Sequence, residues 1–180
     1  MTLWIILGVL VLFILYAISA YNGLVKMREM VRNAMGNIAA QVESRWDAIT
    51  NLIEATKKYS EHEAGILKEL TSARANINKE SKVGQVEADD NAFNSAMGRL
   101  IAVAEAYPDL KASEVYKETM RSVDKYEENV RMSRMIYNDN VTKLNTGIQT
   151  FPTNIVAGIF GFSKEDYFQN TASKKDMPSW

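Results

Sequence analysis

The sequence predicts an all-α membrane protein: an amino-terminal transmembrane helix that continues into an antiparallel bundle of three to four long helices. Three observations predict it. Met1 to Val25 carry no charged side chain, and all 21 Lys and Arg and all 22 Asp and Glu fall after them. Only three prolines and nine glycines occur in the 180 residues, so long stretches lack a turn signal. Beyond the first stretch, apolar residues recur in steps of three and four, the helical period, rather than alternating.

The anchor comes first. Leu3–Ile18 is almost wholly Leu, Ile, Val, Phe, Trp and Tyr, and about 20 such residues in a helix span the hydrocarbon core of a bilayer. A cleaved signal peptide opens with basic residues and has an apolar core of about 7–15 residues. Here nothing basic precedes the run and the run is longer, although Ala17-Ile18-Ser19 is a weak cleavage pattern. A retained helix is therefore expected. Trp4 at one end and Tyr16 and Tyr21 at the other suit the two lipid–water interfaces, where an amphipathic ring lies half in each medium. Lys26, Arg28 and Arg32 follow the run directly. Positive flanks stay on the cytoplasmic side, which predicts an amino terminus outside and a bundle in the cytoplasm, in a single-pass protein of the inner (cytoplasmic) membrane. The lack of cysteine agrees with a reducing compartment. A net charge of −1 gives no general attraction to nucleic acid.

Residues 1–22 are thus assigned to the transmembrane helix, 23–152 to the bundle, and 153–180 to a short apolar helix with a polar tail. The first arm carries the heptad seam Leu24, Arg28, Val31, Met35, Ile38, Val42, Arg45, Ile49, Leu52. It should continue the membrane helix without a break, since no proline intervenes and Gly23 alone costs about 1 kcal/mol. Ser60-Glu61-His62-Glu63 reads as a capping box that restarts a helix, with the Ser60 hydroxyl and the Glu63 carboxylate each satisfying a free amide. That second arm is expected to reach about Lys82, loosen at Gly84, resume through Phe93, Met97, Leu100, Ile101 and Ala104, and stop at Tyr107-Pro108. A third begins near Ala112–Ser113. Its seam is Tyr116, Thr119, Val123, Tyr126, Val130, Ser133, Tyr137, Val141, Leu144 and Ile148, with Phe151 extending it to Pro152. Arms of similar length joined by short connections pack up-down-up. That order places the uncharged Phe151–Phe162 segment at the end farthest from the membrane.

Arg28 and Arg45 interrupt otherwise aliphatic seams. Their long stems can pack while the guanidinium reaches solvent or an acid on a neighbouring arm. Counting heights from the membrane brings Arg45 level with Tyr137, Asn138, Asp139 and Glu80, Asp47 with Arg134 and Asp139, and Asn51 with Arg74 and Asn145. Such pairs set the register between helices; the sharper alternative is a polar inter-helix binding site. His62 is the only histidine and there is no cysteine. No ligand set for zinc or iron is recognisable, no Glu-x-x-His pair occurs, and no phosphate loop or nucleophile motif is present. No catalytic residue, metal or cofactor is expected.

The residues at the membrane exit and beyond carry a resemblance. They are Tyr21-Asn22-Gly23-Leu24-Val25, Arg28, Val31, Ala34, Ile38, Gln41, Arg45, Asp47, Ile49, Asn51-Leu52, Tyr59, His62-Glu63 and Ala73-Arg74. Glu105-Ala106-Tyr107-Pro108-Asp109-Leu110-Lys111-Ala112, Glu128-Asn129, Arg131, Arg134, Tyr137-Asn138, Val141, Asn145, Phe151-Pro152, Phe160-Gly161-Phe162 and Tyr167-Phe168 complete the set. In this order and spacing the chain closely resembles the LemA family of bacterial membrane proteins over nearly its whole length. The resemblance implies one amino-terminal membrane helix, a bundle of long antiparallel helices, and no established enzymatic activity. Thr50 departs from the family, which commonly has proline before the Asn-Leu pair, so the first helix should run less interrupted here.

Together these readings lead to the expectation of a non-enzymatic scaffold that self-associates or presents interaction surfaces to other membrane proteins. The alternative is a membrane-tethered sensing or adaptor bundle with a polar inter-helix site. Phe151, Ile155, Ile159, Phe160 and Phe162 are the expected contacts between copies, unless the segment caps its own bundle.

Overall fold

The computed structural model describes residues 1–56, 58, 59, 65 and 74–169. Every regular element among them is a helix: α1 (Thr2–Thr56), α2 (Val83–Ala106), α3 (Pro108–Ala112), α4 (Glu114–Gln149) and α5 (Thr153–Ile159). α1 and α4 are each shared between two compact units. One unit is Met30–Ile136; the other is Met1–Glu29 with the described residues from Tyr137 onward. The Ser60–Glu63 capping box and His62 lie outside the described residues.

α1 passes through Gly23 without interruption, as the absence of proline leads one to expect. It also continues through Thr50, whose hydroxyl donates to the Trp46 carbonyl at 3.0 Å. Its amino-terminal part is long and apolar enough to cross a membrane, and none of that stretch is buried within the protein. Among the described residues it is the one helix with this length and composition, and it marks the chain as membrane-anchored.

In the unit Met30–Ile136, the α1 seam is buried at Val31, Met35, Ile38, Val42, Ile49 and Leu52. A second stripe, Ala34, Trp46 and Ile53, is buried beside it, so α1 is covered on more than one side. α2 contributes Val86, Phe93, Ala96, Leu100 and Val103. The Trp46 and Phe93 rings meet edge to face at 5.1 Å. Each such large apolar side chain contributes about 1.5–3 kcal/mol when fully buried. α2 stops at Ala106, before Tyr107-Pro108, and the proline then serves at the first turn of α3, where its missing N–H costs nothing. Ser113 joins α3 to α4: its hydroxyl donates to the Leu110 carbonyl at 2.6 Å and accepts the Tyr116 N–H at 3.2 Å.

Two expectations about the course of the chain are corrected. Residues 74–82 are not helical. Within them the Asn78 side chain accepts the Glu80 N–H and the Ser81 hydroxyl accepts the Asn78 N–H, local bonds that compete with a helical ladder. This extended segment runs back along α1, with Arg74 beside Glu43 and Asp47 and Glu80 beside Arg32. α2 then climbs in the same direction as α1, bringing Asp89 to Trp46 and Tyr107 to Tyr59. An extra pass therefore precedes α4, which returns antiparallel to α1 with Glu127 beside Arg45 and Asn129 beside Gln41. The up-down-up order does not hold.

The second correction follows in the other unit. Gly147 of α4 lies against Leu24 and Met27 of α1, close enough that a Cβ there would sit 3.2 Å from the Met27 sulfur. Phe151–Phe162 thus sits beside the membrane helix instead of at the far end: the Tyr16 hydroxyl bonds that of Thr153 at 2.9 Å, and the Tyr21 ring meets Phe160 at 4.7 Å and Phe162 at 5.8 Å. α5 ends in a Schellman turn. The Phe162 N–H reaches the Ala157 carbonyl and the Gly161 N–H reaches that of Gly158. Gly161 has φ 69°, the left-handed conformation this closure needs, which accounts for glycine in Phe160-Gly161-Phe162.

Candidate functional site

Helical spacing places Arg45 and Trp46 on the buried side of α1, and Asp89 on α2 three residues after Val86 and four before Phe93, within the apolar stripe. The Arg45 and Asp89 side chains are 2 % and 0 % exposed. Arg45 Nη2 donates to Asp89 Oδ2 at 3.2 Å and Asp90 Oδ1 at 3.0 Å, and Nη1 donates to Glu127 Oε1 of α4 at 2.8 Å. Arg134 of α4 donates to the other oxygen of Asp90. Asp89 is the hub on the acidic side. Beyond Arg45 it accepts the Trp46 indole N–H at 3.0 Å and the Ala75 backbone N–H at 3.1 Å.

Two cations face three carboxylates here. Burial works against the Arg45 charge, but the Glu127 and Asp90 carboxylates outweigh it through charge and hydrogen bonding, so its pKa is raised. The Phe93 ring lies under the guanidinium at 4.2 Å, adding a cation–π contact. Chemically this is a charge lock, with Arg45 Nε left buried and without a hydrogen-bond partner. Both oxygens of Asp89 and of Asp90 are taken up by guanidinium, indole and amide donors, while Glu127 reaches the surface, and the geometry ties α1, the 74–82 segment, α2 and α4 to one register.

A second polar constellation belongs to the other unit. Asn138 Nδ2 donates to the Phe168 carbonyl at 2.9 Å while its Oδ1 accepts the Phe168 N–H at 3.0 Å. Asn145 treats Glu165 the same way, at 2.9 and 3.0 Å. The spacing has a simple cause. Seven helical residues rise about 10 Å, and three extended residues cover about the same distance, so two amides on one face of α4 match two peptide groups of a chain laid along it. The Phe168 ring is buried and meets Tyr137 edge to face at 5.1 Å. Burial, with the Glu165 and Asp166 carboxylates nearby, pushes the Tyr137 hydroxyl up to about 12.

The sequence-derived residues fall as follows. Arg45 is in the charge lock and Arg134 joins it through Asp90; Tyr137, Asn138 and Asn145 bind the chain's own carboxy-terminal segment. Arg74 pairs with Asp47 and Glu43 near the surface, and Asn51 is exposed outside that pair. Arg28 is exposed with its guanidinium 5.0 Å from the Phe162 ring, a snorkelling arrangement. Phe151, Ile155, Ile159 and Phe160 are exposed, whereas Phe162 is half-buried. Sequence reasoning missed Trp46, Asp89, Asp90, Phe93 and Glu127 as partners of Arg45. An available signal was Asp89 itself, an acid at a seam position of α2.

A family model described as LemA family matches residues 34–179. Magnetosome protein MamQ 2 of Paramagnetospirillum magneticum is 29 % identical over 185 residues, covering 88 % of this chain and 68 % of its own. Magnetosome protein MamQ of Magnetospirillum gryphiswaldense is 27 % identical with the same coverage. Protein LemA of Metamycoplasma hominis is 27 % identical over 157 residues, 86 % of this chain and 71 % of its own. The matched region takes in the charge lock, both asparagine clamps and the Phe160-Gly161-Phe162 turn, and the chain belongs to the LemA family.

Proposed function

We propose that this chain is a non-enzymatic, membrane-anchored scaffold whose helical faces bind further copies or other membrane proteins. The observation that carries this reading is the state of its most polar constellation. Arg45 and Asp89 are buried and bonded to each other and to their neighbours, which suits a device for holding helices in register better than one for binding substrate. Lys26, Arg28 and Arg32 after the apolar run support an amino terminus outside and a cytoplasmic bundle.

One observation favours the sensing alternative. A hollow of about 280 Å³ is lined by Ala39, Val42, Glu43, Arg74, Asn76 and Ile77. Its Arg74 is already paired with Glu43 and Asp47, so a bound anion would have to displace carboxylates.

The scaffold is tested by extracting the full chain from native membranes in mild detergent and measuring particle mass by light scattering. A mass above one chain plus micelle, or a stoichiometric co-purifying protein, supports it. A lone chain that carries a small molecule lost on Arg74→Ala favours the sensor. Protease added to intact cells should leave residues beyond Lys26 uncut; cleavage there reverses the orientation.

A further inference from the structure

We infer that α5 and its flanks are a second, monotopic membrane contact, entering the same leaflet from which α1 emerges. The inference rests on α1 spanning the bilayer and goes beyond it, since a single spanning helix does not require the carboxy-terminal part of the chain to touch lipid.

Depth is the first ground. Thr153 is bonded to Tyr16, which lies inside the apolar run, and Phe160 packs on Tyr21 at its end. Counting from Leu3 at 1.5 Å per residue, Tyr16 lies about 20 Å and Tyr21 about 27 Å into a core roughly 30 Å thick. α5 is thereby held at the level of the last third of the span and its interface. Composition is the second. Leu144–Ser163 carries no charge, and Lys143 and Lys164 bracket it. Exposure is the third: Phe151 is 76 %, Ile159 71 % and Phe160 56 % exposed, continuous with the exposed apolar surface of α1. An apolar hollow of about 310 Å³ between Phe160 and Phe13, Ile14, Ala17, Ile18 and Tyr21 is of a size and character for part of an acyl chain.

The backbone is fitted for a low dielectric as well. A segment can enter lipid only if its amides are bonded within the protein. The N–H groups of Asn154, Ile155, Phe160, Gly161 and Phe162 all reach carbonyls of the same turn or the one before it. Val156 and Ala157 are buried, so the other, exposed side of α5 is the one left for lipid. α5 has no basic polar face of the kind a free surface helix uses; its hold on α1 supplies the placement instead.

The chain has no cysteine, which permits single-cysteine labelling of the full-length protein in nanodiscs with an environment-sensitive fluorophore. Ile159→Cys and Phe151→Cys are the reporters, Leu10→Cys in the span is the positive reference, and Met132→Cys, exposed on α4, is the aqueous one. Lipids carrying a nitroxide near the headgroup should quench both reporters severalfold more than Met132→Cys, while mid-chain nitroxides quench Leu10→Cys most. Reporters quenched no more than Met132→Cys, with Leu10→Cys still quenched, overturn the inference and leave the span standing. Loss of quenching at Leu10→Cys as well overturns the span. Blue-shifted reporters that lipid does not quench are covered by a second copy, which also overturns the inference. Circular dichroism checks each variant, and Phe151→Cys, at the more exposed position, decides if Ile159→Cys misfolds.

Discussion

The side-chain amide of Asn138 closes both backbone hydrogen bonds of Phe168, 30 residues farther along the chain, at 2.9 and 3.0 Å. One residue of α4 thus takes the place of a β-partner for the extended carboxy-terminal segment, and Asn145 does the same at Glu165. Residues of the family resemblance that look like a polar pocket in sequence are occupied by the chain itself.

Asn138→Leu should release that segment. Two hydrogen bonds at about 0.5–1.5 kcal/mol each are lost and two peptide groups are left without partners, so destabilisation of about 1–3 kcal/mol is expected. Hydrogen exchange at the Phe168 amide should accelerate while that of α2 amides stays unchanged; uniform acceleration would contradict a local role.

Asp89→Ala and Glu127→Ala should separate sharply although both touch Arg45. Asp89 is fully buried, and its removal leaves Arg45 and the Trp46 indole short of acceptors, at about 3–5 kcal/mol. The Glu127 side chain is 46 % exposed, and water replaces it for under about 1 kcal/mol. Urea unfolding of the two variants in one detergent gives the comparison, and equal effects would mean that the lock is wet.

Tyr137 gives an alkaline limb. Its hydroxyl titrates near 10.0 in a free chain and at about 12 in the fold. Its contribution is complete below about pH 10 and is lost as pH rises towards 12, because only the unfolded chain gives up the proton in that window. The loss amounts to at most about 3 kcal/mol. Melting temperature against pH should fall less steeply there for Tyr137→Phe than for the parent; parallel curves would assign the limb to other groups.

Two glycine-to-alanine changes should have opposite signs. Gly98 lies inside α2 with nothing within 4 Å of an added Cβ, so Gly98→Ala gains about 0.5–1 kcal/mol of helix propensity. Gly161 sits at φ 69°, where a Cβ costs about 1–2 kcal/mol. Thermal melts of the two variants check both signs.

The sequence by itself determined most of the helix limits, the extended segment at 74–82 excepted. The uncharged run to Val25 marks the span, the heptad steps mark which faces of α1 and α4 are buried, Tyr107-Pro108 ends α2, and Phe151-Pro152 follows the end of α4. These were legible because helix period and proline chemistry act within a few residues. Only the tertiary structure decided which face covers which. Apolar burial is non-directional, so the seam with Arg45 is compatible with an acid on any neighbouring arm. The choice of Asp89, Asp90 and Glu127 follows from the extended pass at 74–82, whose local Asn78 and Ser81 bonds displace a helix that periodicity alone would continue. In the other unit, the contacts of Thr153 with Tyr16 and of Phe160 with Tyr21 are likewise tertiary and place α5 beside the membrane helix.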